Sequence, residues 1–187
     1  MRADSTPARL ALHRARMARG AAALGWVFDA AEFDAAVDVD PAAGLRLRLT
    51  LDAAGRIEVA QAALPESRSE WRLALAGARL RSDDPWLAVK STNRAVYDTA
   101  RAALPEGVEE VVFLNERGEV CDGSITTVFF DRGQGMRTPP LSSGLLPGVL
   151  RAELGCPEEV LLAQDLPHVR LWVGNALRGL IGAVWVG

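Results

Sequence analysis

Four leucines at every second residue, Leu45, Leu47, Leu49 and Leu51, with Arg46, Arg48 and Thr50 between them, constrain this chain more than any other stretch. A helix would scatter these leucines around its axis, whereas a strand puts all four on one face and the polar residues on the other. Residues 52–55 end in glycine and supply a turn, and residues 57–59 return, so 45–60 read as a β-hairpin with one apolar face to cover. The cover comes from upstream. Thr6 before Pro7 is a helix start, Leu10, Met17, Ala21 and Leu24 form its inward stripe, and Gly25 ends it. A second short helix starts at Asp29 and carries Phe33 and Val37; a third strand is expected at 71–75. These elements make a small α/β lobe.

Composition breaks at residues 81–85, which predicts a connection into a second lobe. Residues 86–89 lead to Lys90, 93–103 are helical in composition, and 110–114 and 119–122 flank a turn at 115–118 to give a second hairpin. Another buried strand is expected at 125–130. Pro139 and Pro140 break regular structure, and the Leu146-Pro147-Gly148 turn leads into a helix carrying Leu150 and Leu154. Late strands are expected at 160–162, 171–173 and 183–186. The reading is therefore an α/β (α+β) chain of two lobes, 1–82 and 83–187, without internal repeats.

Its 187 residues can bury a real core. A formal charge of −3 argues against a nucleic-acid binder, and the arginines between Arg9 and Arg19 read as a solvated helical face. Cys121 and Cys156 have neither metal-ligand spacing nor the density of a disulfide scaffold, and are expected as reduced thiols. His13 and His168 form no metal-ligand pattern. With no apolar run of membrane length and no signal-peptide pattern, the expected location is the cytoplasm, with no membrane partner.

Lys90 is the chain's single lysine among 21 basic residues. Arginine stays protonated, whereas a lysine amine deprotonates when buried and can condense with a carbonyl. A coding bias against lysine would also leave one surface lysine behind. However, the only tyrosine, Tyr97, and one of three asparagines, Asn93, fall in the same short segment.

The segments KSTNRAVYDTAR, VVFLNERGEVCDGSITTVFF and TPPLSSGLLPGVLRAEL, in this order, resemble the class IV aminotransferase family of pyridoxal-phosphate enzymes. The nearest-looking branch is 4-amino-4-deoxychorismate lyase, with branched-chain and D-amino acid aminotransferases as relatives. The resemblance implies the two-lobed fold-type IV architecture, D-amino acid aminotransferase-like, with a shortened N-terminal lobe. It further implies pyridoxal 5'-phosphate as cofactor, a small amino substrate and a homodimer. Lys90 falls at the position of the cofactor-linking lysine, which also shuttles protons once burial and the neighbouring cofactor lower its proton affinity. Asp122 takes the place of the carboxylate that meets the pyridine nitrogen, although the family usually has glutamate there. Gly148, Val149, Asn175 and Ala176 match the phosphate loops, and Arg16, three residues after His13, matches the phosphate-binding arginine. Ala176 lacks a hydroxyl many members present, and Thr127 stands for a common asparagine near the ring. Arg94 and Tyr97 follow Lys90 and are candidates to bear on substrate or cofactor, with a half-buried core place slightly favoured for Tyr97.

The chain reaches the Arg16 helix almost at once, whereas family members ordinarily begin with strands that form part of the substrate wall. The leading reading is a lyase that forms 4-aminobenzoate and pyruvate in folate synthesis. An aminotransferase acting on branched-chain or D-amino acids and a non-catalytic shortened member are the alternatives.

Overall fold

The computed structural model describes residues 1–40, 44–66 and 68–187, and divides them into two compact units, Met1–Glu66 and Ser67–Gly187. In the first unit the local signals act as read. Helix α1 (Pro7–Leu24) is capped by Thr6, whose hydroxyl accepts from Arg9 N–H at 3.3 Å, and ends at Gly25 with φ 67°. There a left-handed turn suits a residue without a side chain. Asp29 caps α2 (Ala30–Ala36) by accepting from Ala31 N–H at 2.8 Å, and Phe33 from this helix is buried. Strands β1 (Leu45–Leu51) and β2 (Ile57–Ala63) pair antiparallel from Leu45↔Ala63 to Leu51↔Ile57. The Asp52 carboxylate holds their turn by accepting from Ala54 N–H at 3.0 Å and Arg56 N–H at 2.9 Å. Leu47 is fully buried, while Arg46 and Arg48 face solvent. Residues 1–3 also run along β1: Leu47 N–H donates to Met1 O and Ala3 N–H to Leu45 O, both at 2.8 Å. The start of the chain therefore adds to this sheet, which the sequence did not suggest.

The second unit is built on six strands, β3 (Glu70–Leu80), β4 (Glu110–Asn115), β5 (Val120–Gly123), β6 (Thr127–Asp131), β7 (Arg170–Asn175) and β8 (Gly179–Trp185), in the order β5-β4-β3-β8-β7-β6. Strand β3 lies parallel to both β4 and β8; the remaining neighbours are antiparallel. The strand expected at 71–75 therefore belongs to the larger sheet, and the division falls at Glu66/Ser67 rather than after residue 82. Pairing of β3 with two distant strands outweighs the composition break that follows it. Residue 67, within the polar connection, and residues 41–43 lie outside the described residues.

Every residue of β4 is buried. Val112 and Leu114 pack with Trp71, Leu73, Val128, Phe130, Leu161 and Val173, while Val111 and Phe113 pack with Leu80, Leu87, Cys121 and Leu145. Alternation thus sends one strand into two cores. Helix α3 (Ala95–Ala102) covers the second core through Val96, Tyr97 and Ala100. The expected strand at 160–162 is not formed. Leu161 O accepts from Val120 N–H at 2.8 Å and Leu162 makes one bridge to Glu119, after which the chain turns into a 3-10 segment, Ala163–His168. Contact with β5 is thus too brief for a ladder.

One connection decides where the chemistry sits. Strands β5 and β6 are the outermost strands of the sheet order, yet only residues 124–126 join them. The Gly123 N–H donates to Thr126 O at 2.7 Å, so the sheet curls until its two ends meet at this turn. Asp122 and Thr127 flank the turn. Helix α4 (Val149–Leu154), preceded by Gly148 and ended by Gly155, follows from the Pro-Gly signal.

Candidate active site

Lys90 stands in the loop between the 3-10 turn Pro85–Ala88 and α3. It is exposed, so the chain by itself does not supply the burial expected to neutralise the amine. Its charge reaches Asp122 and favours the ionised carboxylate there.

Asp122 is buried, and its Oδ2 accepts from Leu146 N–H at 3.3 Å. Its Oδ1 is buried without a hydrogen-bond partner among the described residues. Burial pushes its pKa up to about 8, against the opposing pull of the Leu146 N–H and the Lys90 charge, with the Glu110 carboxylate adding to the rise. Near neutrality most of this carboxyl holds its proton.

Thr127 is buried beside Gly148, where a Cβ would lie 3.0 Å from the Thr127 hydroxyl. A side chain there would require the Thr127 hydroxyl to give way by a few tenths of an ångström. Val149 begins α4 without a capping side chain, so amides of its first turn have no partner within the helix. Asn175 closes the β7–β8 turn by accepting from Leu177 and Arg178 N–H, both at 3.0 Å, and its Nδ2 donates to Ile125 O at 3.1 Å. Ala176 is buried next to it.

Arg94 donates to Asp98 at 2.8 Å and to Ser124 O at 2.7 Å, and lies 5.4 Å from the centre of the Tyr97 ring. Tyr97 meets Phe113 edge-on at 5.0 Å. Burial first, and then the Asp122 charge, raises its hydroxyl pKa. Tyr97 is thus both part of the core and electrostatically coupled to the carboxyl.

Arg16 belongs to the first unit. Burial and then the Arg19 charge lower its pKa to about 10, and its Nη2 lies 3.4 Å from His13 Nδ1. Because arginine only donates, Nδ1 accepts and the His13 proton sits on Nε2. Burial and the Arg16 charge hold His13 neutral, with its pKa lowered to about 3.

The structure therefore brings Lys90, Arg94, Tyr97, Asp122, Thr127, Gly148, Val149, Asn175 and Ala176 into one unit. It adds a residue that sequence reasoning missed. Glu110, the first residue of β4, is fully buried and accepts from Ser124, Ile125 and Thr126. The available signal was a carboxylate opening an otherwise apolar run, which alternation alone reads as a solvated rim. Among the described residues no cluster could hold a metal ion, and no helix is long and apolar enough to cross a membrane.

Residues 1–184 match the family described as Amino-transferase class IV. No curated protein matches the chain. A structure from Mesorhizobium loti, named provisionally as an amino-acid aminotransferase, is 38% identical, with a TM-score of 0.88 over 95% of this chain and 92% of its own. The 4-amino-4-deoxychorismate lyase from Pseudomonas aeruginosa shares the fold at 21% identity and a TM-score of 0.79, over 99% of this chain and 80% of its own. A hypothetical aminotransferase from Mycobacterium tuberculosis, with α-ketoglutarate and PMP bound, does so at 20% identity and 0.76, over 94% and 75%. The fold-type IV architecture, the lone lysine and the family match over nearly the whole length agree: the chain belongs to the class IV aminotransferases, a family of pyridoxal-phosphate-dependent enzymes.

Proposed function

We propose that this chain is a lyase that converts 4-amino-4-deoxychorismate to 4-aminobenzoate and pyruvate, a step of folate synthesis, working in the cytoplasm as a homodimer. The Asp122 carboxyl carries the mechanistic part of this reading. A buried oxygen lacking a partner is costly unless a ligand completes it, and Oδ1 is such an atom. A protonated ring nitrogen fits it, so Asp122 serves in spite of being shorter than the usual glutamate. The resemblance of the Lys90 segment to the lyase branch supports the choice of substrate.

Bound pyridoxal phosphate supplies an aldehyde that engages an amine covalently and a protonated ring that withdraws electrons from the carbon bearing that amine. Lys90 would hold the aldehyde carbon and Asp122 the ring nitrogen, with Thr127 near the ring. Gly148, Val149, Asn175 and Ala176 would hold the phosphate. Asp122 already carries a proton near neutrality, and that one proton then serves carboxyl and ring nitrogen together. With the substrate amine engaged in its stead, the Lys90 amine would remove the proton from the amine-bearing carbon. The enolpyruvyl group would then depart as its enolate, take up a proton on its methylene carbon to become pyruvate, and leave an aromatic ring. Tyr97, coupled to Asp122, is a candidate substrate contact. The three partners of Arg94 support a positioning role for it.

A second reading, an aminotransferase, is favoured by the name given to the Mesorhizobium relative. The deciding experiment incubates the protein with pyridoxal phosphate and 4-amino-4-deoxychorismate in the absence of a keto acid, and measures 4-aminobenzoate and pyruvate. Equal amounts of both are expected. Turnover only with a keto-acid acceptor, and accumulation of the pyridoxamine form from an amino donor, would establish the aminotransferase instead. Borohydride reduction should place a pyridoxyl group on Lys90, and Lys90→Arg should lose both label and turnover; retained turnover in that variant would refute both readings.

A further inference from the structure

One buried carboxylate has no place in the chemistry above. Glu110 is fully buried, where an ionised carboxylate is unfavourable unless donors surround it. Its Oε1 accepts from Val111 N–H at 3.0 Å, from Ser124 N–H at 3.0 Å, from the Ser124 hydroxyl, and more distantly from Arg101 at 3.4 Å. Its Oε2 accepts from Ile125 N–H at 3.1 Å and from the Thr126 hydroxyl at 2.8 Å. The donors thus include groups from three consecutive residues, 124–126, the same three that close the sheet between β5 and β6. The approach leaves no room for a side chain at Gly123, where a Cβ would stand 2.9 Å from Glu110 Oε2 and 2.4 Å from the Thr126 hydroxyl. From the other side Arg94 donates to Ser124 O and Asn175 to Ile125 O. Peptide groups of this turn are therefore held on both their N–H and C=O sides.

We infer that Glu110 is a positioning residue for the cofactor site: its carboxylate is the template on which turn 123–126 folds, and through that turn it fixes the direction of the Asp122 carboxyl and the place of Thr127. The inference rests on the assignment of Asp122 to the ring nitrogen. Glu110 acts through residues 124–126 rather than on reactant or cofactor. Its influence is geometric, because Asp122 and Thr127 are the residues at either end of the turn, and electrostatic, because it is one of three charged groups, with Lys90 and Arg151, acting on Asp122. A site held by a rigid supporting layer loses affinity when that layer loosens.

The test is Glu110→Gln, which keeps the shape but turns an amide group toward donors on one side. Two quantities are measured: the titration midpoint of Asp122 in the cofactor-free protein, from the carbon resonance of labelled aspartate carboxyls, and the dissociation constant of pyridoxal phosphate. The Asp122 midpoint is expected to fall by on the order of one pH unit, since a like charge is removed and water gains access. Cofactor affinity is expected to fall roughly tenfold, as for other residues that orient a binding group. A variant that melts at lower temperature but keeps both quantities would show a structural role alone and overturn the inference. Should Glu110→Gln not fold, Thr126→Val keeps the charge and removes one turn donor, and unchanged values in that protein overturn the inference equally. Failure of the cofactor assignment shows separately, as absence of pyridoxyl label on Lys90 in the unmodified chain, and leaves the midpoint comparison valid.

Discussion

Replacing Asp122 by Asn should make the cofactor-free protein more stable at alkaline pH and remove most of the pH dependence that this residue contributes. The folded-state pKa is about 8 against an ordinary 3.8. The folded chain therefore binds the proton more tightly than the unfolded chain. Stability contributed in this way is fully present below the unfolded pKa and is lost as pH rises from about 4 to about 8. A difference of about four units corresponds to a penalty on the order of 5 kcal/mol once the carboxyl is ionised. Within the window between pH 6 and pH 8, the loss is about 2 kcal/mol. Asparagine resembles the protonated acid and can still accept from Leu146 N–H, so its contribution is flat. Urea unfolding of both proteins without cofactor, followed by tryptophan fluorescence at pH 6, 7, 8 and 9, measures the gap. The variant's advantage should widen by about 2 kcal/mol from pH 6 to 8 and then level. A gap that stays constant across this range would refute the claim that burial shifts Asp122.

Three further outcomes follow from the same geometry. Gly123→Ala places a Cβ 2.4 Å from the Thr126 hydroxyl; it should cost about 1–3 kcal/mol in urea unfolding and weaken pyridoxal phosphate binding, and an unchanged unfolding midpoint would contradict the tight turn. The Cys121 thiol is buried and pushed up to about 12, first by burial and then by the Asp122 charge, so iodoacetamide at pH 8 should mark half-buried Cys156 in the folded protein and Cys121 only after unfolding, as peptide mass analysis will show. His13 is held at about 3, so the stability it gives as a neutral ring is lost as pH falls below about 6.5; His13→Gln should narrow the fall in stability by about 2 kcal/mol at pH 5, and an identical acid response in both proteins would contradict a neutral buried ring.

The candidate site was proposed from one scarce residue type, lysine, and from the family resemblance of the segments around it. Lys90 stood out as the only amine of its kind, and the DGSITT run carried Asp122 and Thr127. Burial was read less well. Lys90 proved exposed, because a loop residue's burial depends on what packs over it. Glu110 passed unnoticed, because most of its donors come from a turn fourteen and more positions downstream. The Arg94 guanidinium holds Ser124 O, a contact no local pattern encodes.

The sequence by itself determined the elements whose causes are local. Thr6 and Gly25 bound α1, Asp29 caps α2, and the leucine alternation makes β1, since capping, turn conformation and side-chain period involve residues within a few positions of one another. Only the tertiary structure decided that β3 joins β4 and β8, that the outermost strands meet at turn 123–126, and that the run at 160–162 falls short of a strand. It also decided that Asp122 keeps a proton near neutrality while Glu110 rests among donors. Each of these depends on pairing or desolvation between distant segments, and the same carboxyl group acquires opposite surroundings according to what the folded chain brings to it.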